Sequence, residues 1–367
     1  MTDIRNLAGI RPATSTARTI EGERVAWVDA AKGMCIILVV MMHSVLGVGD
    51  AMGGEGFMHV AVAFAAPFRM PDFFLISGLF LARVIDRDWR SYADKRVVHF
   101  LYFYLLWLLI QTVVKAGSFT QDGAGGLVEH LVWALVQPYS TLWFVYMLAI
   151  FSVAAKLLRS LPVWALLGFG AVLEIAPINT GAILIDEFAG RFVYFLAGYL
   201  LATHIFRLAD WALANKGAAL AGLGAWALVN GWLALTPSGI EGHEGMLASL
   251  PFVSLFAGAI GAVAMILISA LLAQTLFGGA LSYAGRHAIA VYLAFFLPMA
   301  ATRIILIRLG IVEDIGLISL IVTIAAVTAP LVLERIVRHT PLNFIFERPA
   351  MFRIPPARTQ PRPQPAE

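Results

Sequence analysis

Between residues 30 and 337 the chain returns repeatedly to apolar stretches about as long as a helix that crosses a bilayer, ~20 residues for ~30 Å of hydrocarbon. Residues 36–42 read IILVVMM and residues 264–272 read AMILISALL. Backbone amides inside hydrocarbon have no water to bond, so only helices and closed barrels can cross it. These runs are too long and too continuously apolar for barrel strands, whose residues alternate. Ten spans are expected, at about 30–49, 57–84 with Pro71 inside, 97–117, 140–158, 162–179, 188–207, 216–236, 248–273, 287–309 and 315–337. The expected fold class is all-α, a polytopic integral membrane protein.

Composition excludes the main alternatives. Only 13% of the 367 residues are charged while 60% are apolar, and a soluble domain carries roughly a quarter charged. A soluble, disordered or fibrous chain cannot be built from this mixture. A net charge of +3 and a pI near 9.1 would allow nucleic acid as a partner, but the cations lie at the ends of apolar segments, so none is expected. Cys35 is the single cysteine, which removes disulfides and Cys-based metal sites. The histidines do not cluster at metal-ligand spacings, and no metal is expected.

The loops carry the topology. One set holds Arg83, Arg87, Arg90, Lys95 and Arg96, then Lys156 and Arg159, Arg207 and Lys216, Arg286, and Arg335 with Arg338. The alternate set holds Asp50 and Glu55, Asp122 and Glu129, Asp186 and Glu187, Glu241 and Glu244, and Glu313 with Asp314. Lys and Arg accumulate on the cytosolic side, so both termini are expected there, in a multi-pass protein of the cell (inner, cytoplasmic) membrane. Residues 1–26 lack the apolar stretch of a signal peptide and read as a disordered cytosolic tail. Residues 27–348 form the membrane domain, and 349–367 a basic, Pro-rich cytosolic tail. The segment 121–139 reads as an outer loop followed by an interfacial or re-entrant helix.

Ionisable side chains inside hydrocarbon are expensive and normally face a cavity or one another. The first span carries Asp29, Lys32 and His43. Eleven residues at 100° each bring Lys32 and His43 to within about 20° of one helix face, separated by ~16 Å along the axis. Asp29 is three residues from Lys32 and can pair with it; anchoring at the interface is the plainer role for both. An imidazole deep in a span needs polar company and is the side chain best suited to general-base work near neutral pH. The second span reads Arg69-Met70-Pro71-Asp72-Phe73-Phe74-Leu75-Ile76-Ser77-Gly78. There Pro71 is expected to kink the helix, Arg69 to pair with Asp72, and Ser77-Gly78 to permit close helix approach. Lys95 and Arg96 open the third span, either as plain topology signals or as binders of a phosphate-bearing cofactor. Tyr139, Trp143 and Tyr146 at the fourth span read either as an aromatic belt or as a surface for a sugar ring. No P-loop, G-x-S-x-G or H-E-x-x-H motif is present.

The run from Arg24 to His43, with Asp29, Lys32-Gly33 and the spacing Lys32-x10-His43, resembles the first span of the acyltransferase 3 family of membrane O-acyltransferases. Met70-Pro71-Asp72-Phe73-Phe74 resembles that family's second-span signature, closest to the fucose 4-O-acetylase-like branch, as does Thr141-Leu142-Trp143-Phe144. Phe195-Leu196-Ala197-Gly198-Tyr199 and the run from Gly285 to Leu293 resemble its later spans. The likeness covers most of residues 24–348 and departs from the pattern at Arg69 and at Phe295-Phe296, where the family often has His.

The resemblance implies an acyl-CoA donor, usually acetyl-CoA, from the cytosol, and a hydroxyl acceptor on a glycan or glycolipid, with membrane lipids around the protein. It makes His43 the catalytic base and Lys32 its basic partner, with Lys95 and Arg96 as donor contacts. The residues themselves add Arg69, held by Asp72, at the oxyanion; Asp29 orienting Lys32; and Ser77, Tyr139, Trp143 and Tyr146 toward the acceptor. A secondary transporter or lipid-linked-sugar flippase would also show ten spans, buried charges and a broken helix, but would neither bind nor cleave acetyl-CoA. A non-catalytic scaffold would tolerate loss of all these side chains.

Overall fold

The computed structural model describes residues 25–115, 123–241 and 244–355. Most of the expected N-terminal tail, Asp122 of an expected outer loop and the end of the C-terminal tail lie outside them. Among the described residues regular structure is helical, with one isolated bridge between Pro237 and Met246.

Helix α1 (Ala26–Met52) runs without a break through the first expected span and ends on Gly53, whose left-handed φ of 69° lets its N–H close onto the Gly49 carbonyl. Helices α2 (Phe57–Ala65) and α3 (Arg69–Gly78) follow, bent by 47° from one another. The bend is not where the expected kink was. Pro71 lies in the first turn of α3, where its missing N–H is one of those a helix leaves unpaired anyway. It helps start a helix; the break is the turn before it, residues 66–68. Next come α4 (Trp89–Ala93), a π-helical turn (Asp94–Val98) and α5 (His99–Val114), which together form one apolar segment. The Asp88 carboxylate caps α4 by accepting from the Ser91 N–H, which holds Asp88 below its usual pKa range.

The remaining helices are α6 (Gly123–Val136), α7 (Trp143–Leu158), α8 (Val163–Ile175), α9 (Ile183–Leu200), α10 (Ala202–Ala214), α11 (Lys216–Leu235), α12 (Val253–Leu272), α13 (Leu276–Arg286), α14 (Ala288–Ala294), α15 (Phe296–Leu309) and α16 (Ile315–Val337). Six segments of the described chain are long and apolar enough to cross a membrane, or nine if each of three bent pairs counts as one span. The pairs are α2 with α3, α9 with α10 (bent 75°) and α14 with α15 (bent 52°). The expected ten differ from nine at 162–179, where the 13 residues of α8 reach only ~20 Å.

Lipid tails are as apolar as leucine, so helices in a bilayer associate by close packing rather than by escape from water. Two glycine pairs do this here. A Cβ on Gly33 of α1 would lie 2.1 Å from the Leu281 carbonyl oxygen, and one on Gly285 of α13 would lie 1.7 Å from that of Asp29. A Cβ on Gly78 would lie 2.2 Å from the Phe195 carbonyl oxygen, and one on Gly198 of α9 would lie 1.9 Å from that of Leu75. Backbone therefore touches backbone at the α1–α13 and α3–α9 crossings. The close approach expected at Gly78 is present, and its partner is the Gly198 of a later motif.

Aromatic rings fill the space beside the second crossing. Phe73 stacks on Phe144 at 4.2 Å, Phe74 lies 5.0 Å from Phe151, and Phe151 meets Phe192 and Phe195 at 5.2 and 5.5 Å. The Tyr292 hydroxyl donates to the Thr141 carbonyl and accepts from the Phe144 N–H at 3.3 Å, tying α14 to the start of α7. A clasp formed by residues 341–355 closes the basic end of the bundle. Buried Arg348 pairs with Asp94 at 2.9 Å, and the Ile354 N–H donates to the other Asp94 oxygen at 2.8 Å. The Tyr102 hydroxyl and Trp107 indole donate to the carbonyls of Phe344 and Ile345 at 2.9 and 3.0 Å.

Candidate functional site

Because α1 is one unbroken helix packed on α3, α12, α13 and α16, the Lys32-to-His43 stripe is a rigid ruler of ~16 Å. Each end of it has company.

At the first end, Asp29 and Lys32 form the expected pair, at 3.9 Å. Lys32 also stands over the Phe80 ring, 5.6 Å from its centre, and Arg83 covers the same ring at 4.7 Å. The Arg96 guanidinium donates to the Phe80 carbonyl at 3.3 Å. Three cations from three different stretches of chain thus gather on one residue, with Phe206 against the ring at 6.3 Å. Three cations held so close, with Asp29 beside Lys32, suit an anion bearing several phosphates. Lys95 lies beside Arg96 in the π-helical turn, but its side chain is exposed and it makes no contact with Phe80. The reading of Arg83 as a plain topology signal misses its part here. Phe80 is the link, and no spacing rule reveals it.

At the second end, His43 is largely buried with its ring 5.5 Å from that of Phe295, one of the two positions at which the sequence departs from the resemblance. Arg69 stands at the start of α3, which packs on α1. The Nε and Nη1 atoms of Arg69 are buried and have no hydrogen-bond partner.

The expected Arg69–Asp72 ion pair does not form. Asp72 is only 1% exposed and points at α1, where its Oδ2 accepts from the Cys35 thiol at 2.8 Å, while Oδ1 has no partner. Both residues belong to the first turn of α3, but Asp72 faces the α1 interface. Arg69 is therefore left with uncompensated donors, and a buried donor in that condition costs ~1–3 kcal/mol or more. A group that accepts from it, such as a bound ligand, would remove that cost.

The other expected acceptor residues are placed apart from this pair. The Ser77 hydroxyl is spent on the Phe73 carbonyl at 2.7 Å, one turn back in its own helix. The Tyr146 hydroxyl donates to the Leu135 carbonyl at 2.9 Å, and Trp143 packs toward Phe74 at 6.1 Å. The Tyr139 hydroxyl accepts from Lys115 at 3.3 Å, and Lys115 lies over the rings of Tyr139 and Phe296 at 5.1 and 5.8 Å. Lys156, expected as a topology signal, is 3% exposed and donates to the carbonyls of Ile85 and Arg87, both at 2.7 Å, pinning the loop next to Arg83.

A polar opening lies among α8, α9, the end of α11 and the start of α12. It is a cavity of about 640 Å³ whose lining includes Glu174, Asp186, Glu187, Arg191 and Tyr194, with Pro67 on its wall. None of Tyr139, Trp143 and Tyr146 lines it. Arg191 pairs with Glu187 at 3.3 Å and is within electrostatic reach of Arg69. The Arg191 and Glu174 charges lack the periodicity that a sequence reading can use, because they meet only through the bends around α8 and α9. Among the described residues no group of three His, Cys, Asp or Glu side chains is placed to hold a metal ion.

The family model described as an acyltransferase domain matches residues 25–335. Among curated proteins the chain is similar to the inner membrane protein YcfT of Escherichia coli (strain K12), 27% identical over 173 residues, 39% of this chain and 47% of that one. The chain thus spans about half the length of the curated relative it matches. No solved structure matches.

Proposed function

The chain belongs to the acyltransferase-domain family, and from that premise we propose that it is an integral-membrane O-acyltransferase moving an acyl group, acetyl in the first instance, from cytosolic acyl-CoA to a hydroxyl of a glycan or glycolipid. The observation that carries this is the pairing along α1 of a three-cation cluster at Phe80 with a histidine–arginine pair ~16 Å away. The first fits the phosphates of CoA and the second fits acyl transfer; an extended pantetheine arm spans the interval. In this reading the basic end faces the cytosol and both chain termini lie there, in keeping with the alternation of loop charge.

His43 accepts the proton of the acceptor hydroxyl as its oxygen attacks the thioester carbonyl carbon. The oxyanion that forms is met by the unpartnered Arg69 donors and by the first N–H groups of α3. Collapse breaks the C–S bond, and the imidazolium returns its proton to the departing thiolate, leaving an O-acyl ester and free CoA. Lys32, Arg83 and Arg96 bind the donor phosphates, and Asp29 orients Lys32. Lys95 adds long-range attraction at the mouth. Asp72 is a positioning residue that locks α3 onto α1 through Cys35.

The test uses purified full-length protein in lipid nanodiscs with acetyl-CoA, following thiol release as glycan or glycolipid extract is added. Acceptor-dependent thiol release supports the reading, whereas tight acetyl-CoA binding with none released overturns it. Within the same assay, Arg83→Ala and Arg96→Ala are each expected to raise the apparent KM for acetyl-CoA roughly tenfold, the loss of one charge-assisted contact. Their kcat should stay within about twofold, since they meet donor and transition state equally. A fall in kcat at unchanged KM would remove them from donor binding.

A further inference from the structure

The cavity lined by Glu174, Arg191 and Tyr194 has an apolar neighbour. A groove of about 260 Å³ runs between α11 and α12, and its lining is apolar but for Asn230, with Trp226, Leu233, Phe252, Phe256 and Ile260 prominent. Phe252 and Phe256 are each 61% exposed, so the groove is open sideways, toward what surrounds the bundle. The two spaces are divided by two short stretches of chain, 233–234 and 251–254. Consecutive residues face opposite ways: Ala234, Pro251 and Ser254 line the polar cavity, and Leu233, Phe252 and Val253 line the groove. Phe252 holds a left-handed φ of 65° at this divide, a conformation that costs of order 1 kcal/mol or more for a bulky residue and here turns its ring out of the cavity into the groove.

The polar side is built for a hydroxyl-bearing group. The Tyr194 hydroxyl lies 3.5 Å from Glu174 and 3.4 Å from the carbonyls of Ser254 and Leu255. The Glu174 Oε2 is buried with no hydrogen-bond partner, so it can accept from a ligand. A space of this size suits a mono- or disaccharide-sized head. It also leads inward: Pro67 is two residues from Arg69, and Tyr194 and Pro71 both lie within 3.0 Å of where Gly258 would carry a Cβ.

We propose that the acceptor is a membrane-anchored amphiphile, its hydroxylated head in the cavity at Glu174, Arg191 and Tyr194 and its hydrocarbon chain in the groove between α11 and α12, entering sideways from the bilayer. This rests on the acyl-transfer reading and narrows its acceptor to a lipid-linked one. The groove accepts the first part of the chain, with the remainder in the surrounding lipid. Anchoring concentrates the acceptor in the plane of the membrane, so the head needs few strong contacts of its own.

The experiment incubates membranes of the cells that carry this chain, containing the full-length protein, with labelled acetyl-CoA and partitions the products between chloroform–methanol and water. The proposal expects the label in the lipid phase. It also expects Ile260→Trp and Val229→Trp, which fill the groove, to lower lipid labelling about tenfold at unchanged donor KM. Leu228→Trp, on the same helix but 79% exposed and outside the groove, should label as the unaltered protein does and so controls for folding. Label confined to water-soluble product, or lipid labelling indifferent to both groove substitutions, overturns the lipid-linked acceptor alone. Absence of acyl transfer to either phase overturns the acyl-transfer reading, and this proposal with it.

Discussion

Replacing His43 by glutamine is expected to lower acyl transfer by at least ~10²- to 10⁴-fold, the usual contribution of a positioned general base. Glutamine keeps the approximate size and a hydrogen-bonding head but cannot take the acceptor proton. The donor site proposed around Phe80 is ~16 Å away along α1, so acetyl-CoA is expected to raise the thermal midpoint of the variant and of the unaltered protein alike. The measurement is therefore double: thiol release for chemistry, thermal shift with acetyl-CoA for binding. Retained transfer would dismiss His43 as the base. Loss of both transfer and binding would show that the substitution damages the fold, and His43→Asn would then be compared. Arg69→Lys extends the argument, since a point charge cannot present the two donors that Nε and Nη1 leave unpaired; a drop in kcat with little change in KM is expected.

The second large effect concerns assembly. Gly198→Leu should abolish the folded protein or leave a small, inactive fraction. Even a Cβ there would sit 1.9 Å from the Leu75 carbonyl oxygen, a backbone atom that cannot swing aside. Overpacking a core costs ~1–3 kcal/mol when side chains can yield, and occasionally more; here only separation of α3 from α9 relieves the clash. Since α3 carries Arg69 and Asp72, separation also dismantles the second half of the site. Gly222→Leu is the comparison, because nothing lies within 4 Å of a Cβ at that position. The readout is the monodisperse fraction after detergent extraction and its thermal midpoint. Equal yields of the two variants would show that the α3–α9 crossing is looser than drawn here.

Local properties of the chain were legible before any coordinates. The apolar runs announce most of the helices, and the Lys32-to-His43 stripe follows from helical periodicity once α1 is continuous. Gly78 announces a close approach because the reason lies within its own helix face. Other features depend on what a residue meets far away in the chain. Cys35 meets Asp72, 37 positions on, and that contact takes from Arg69 its expected partner. Arg83 joins Lys32 and Arg96 only through Phe80. Pro71 looks like a kink within a long apolar run, but the turn before it breaks the helix first and turns the proline into a helix starter. The length of α8 misled for a related reason. The expected span runs on through residues 176–179, yet the helix stops before Pro177 and these residues line a cavity instead. Hydropathy does not distinguish those two uses of the same residues.

The clasp has a consequence in time. Arg348 is joined to Asp94 across 254 residues, which a ribosome takes roughly 10–50 s to add at ~5–20 residues per second. Through that interval the π-helical turn bearing Arg96 lacks the bonds that Arg348 and Ile354 make to Asp94, so this end of the bundle acquires its final contacts only when nearly the whole bundle has been synthesised. A reporter fused after residue 340, before the clasp, would then mark a chain whose membrane helices are made but whose Asp94 contacts are still missing.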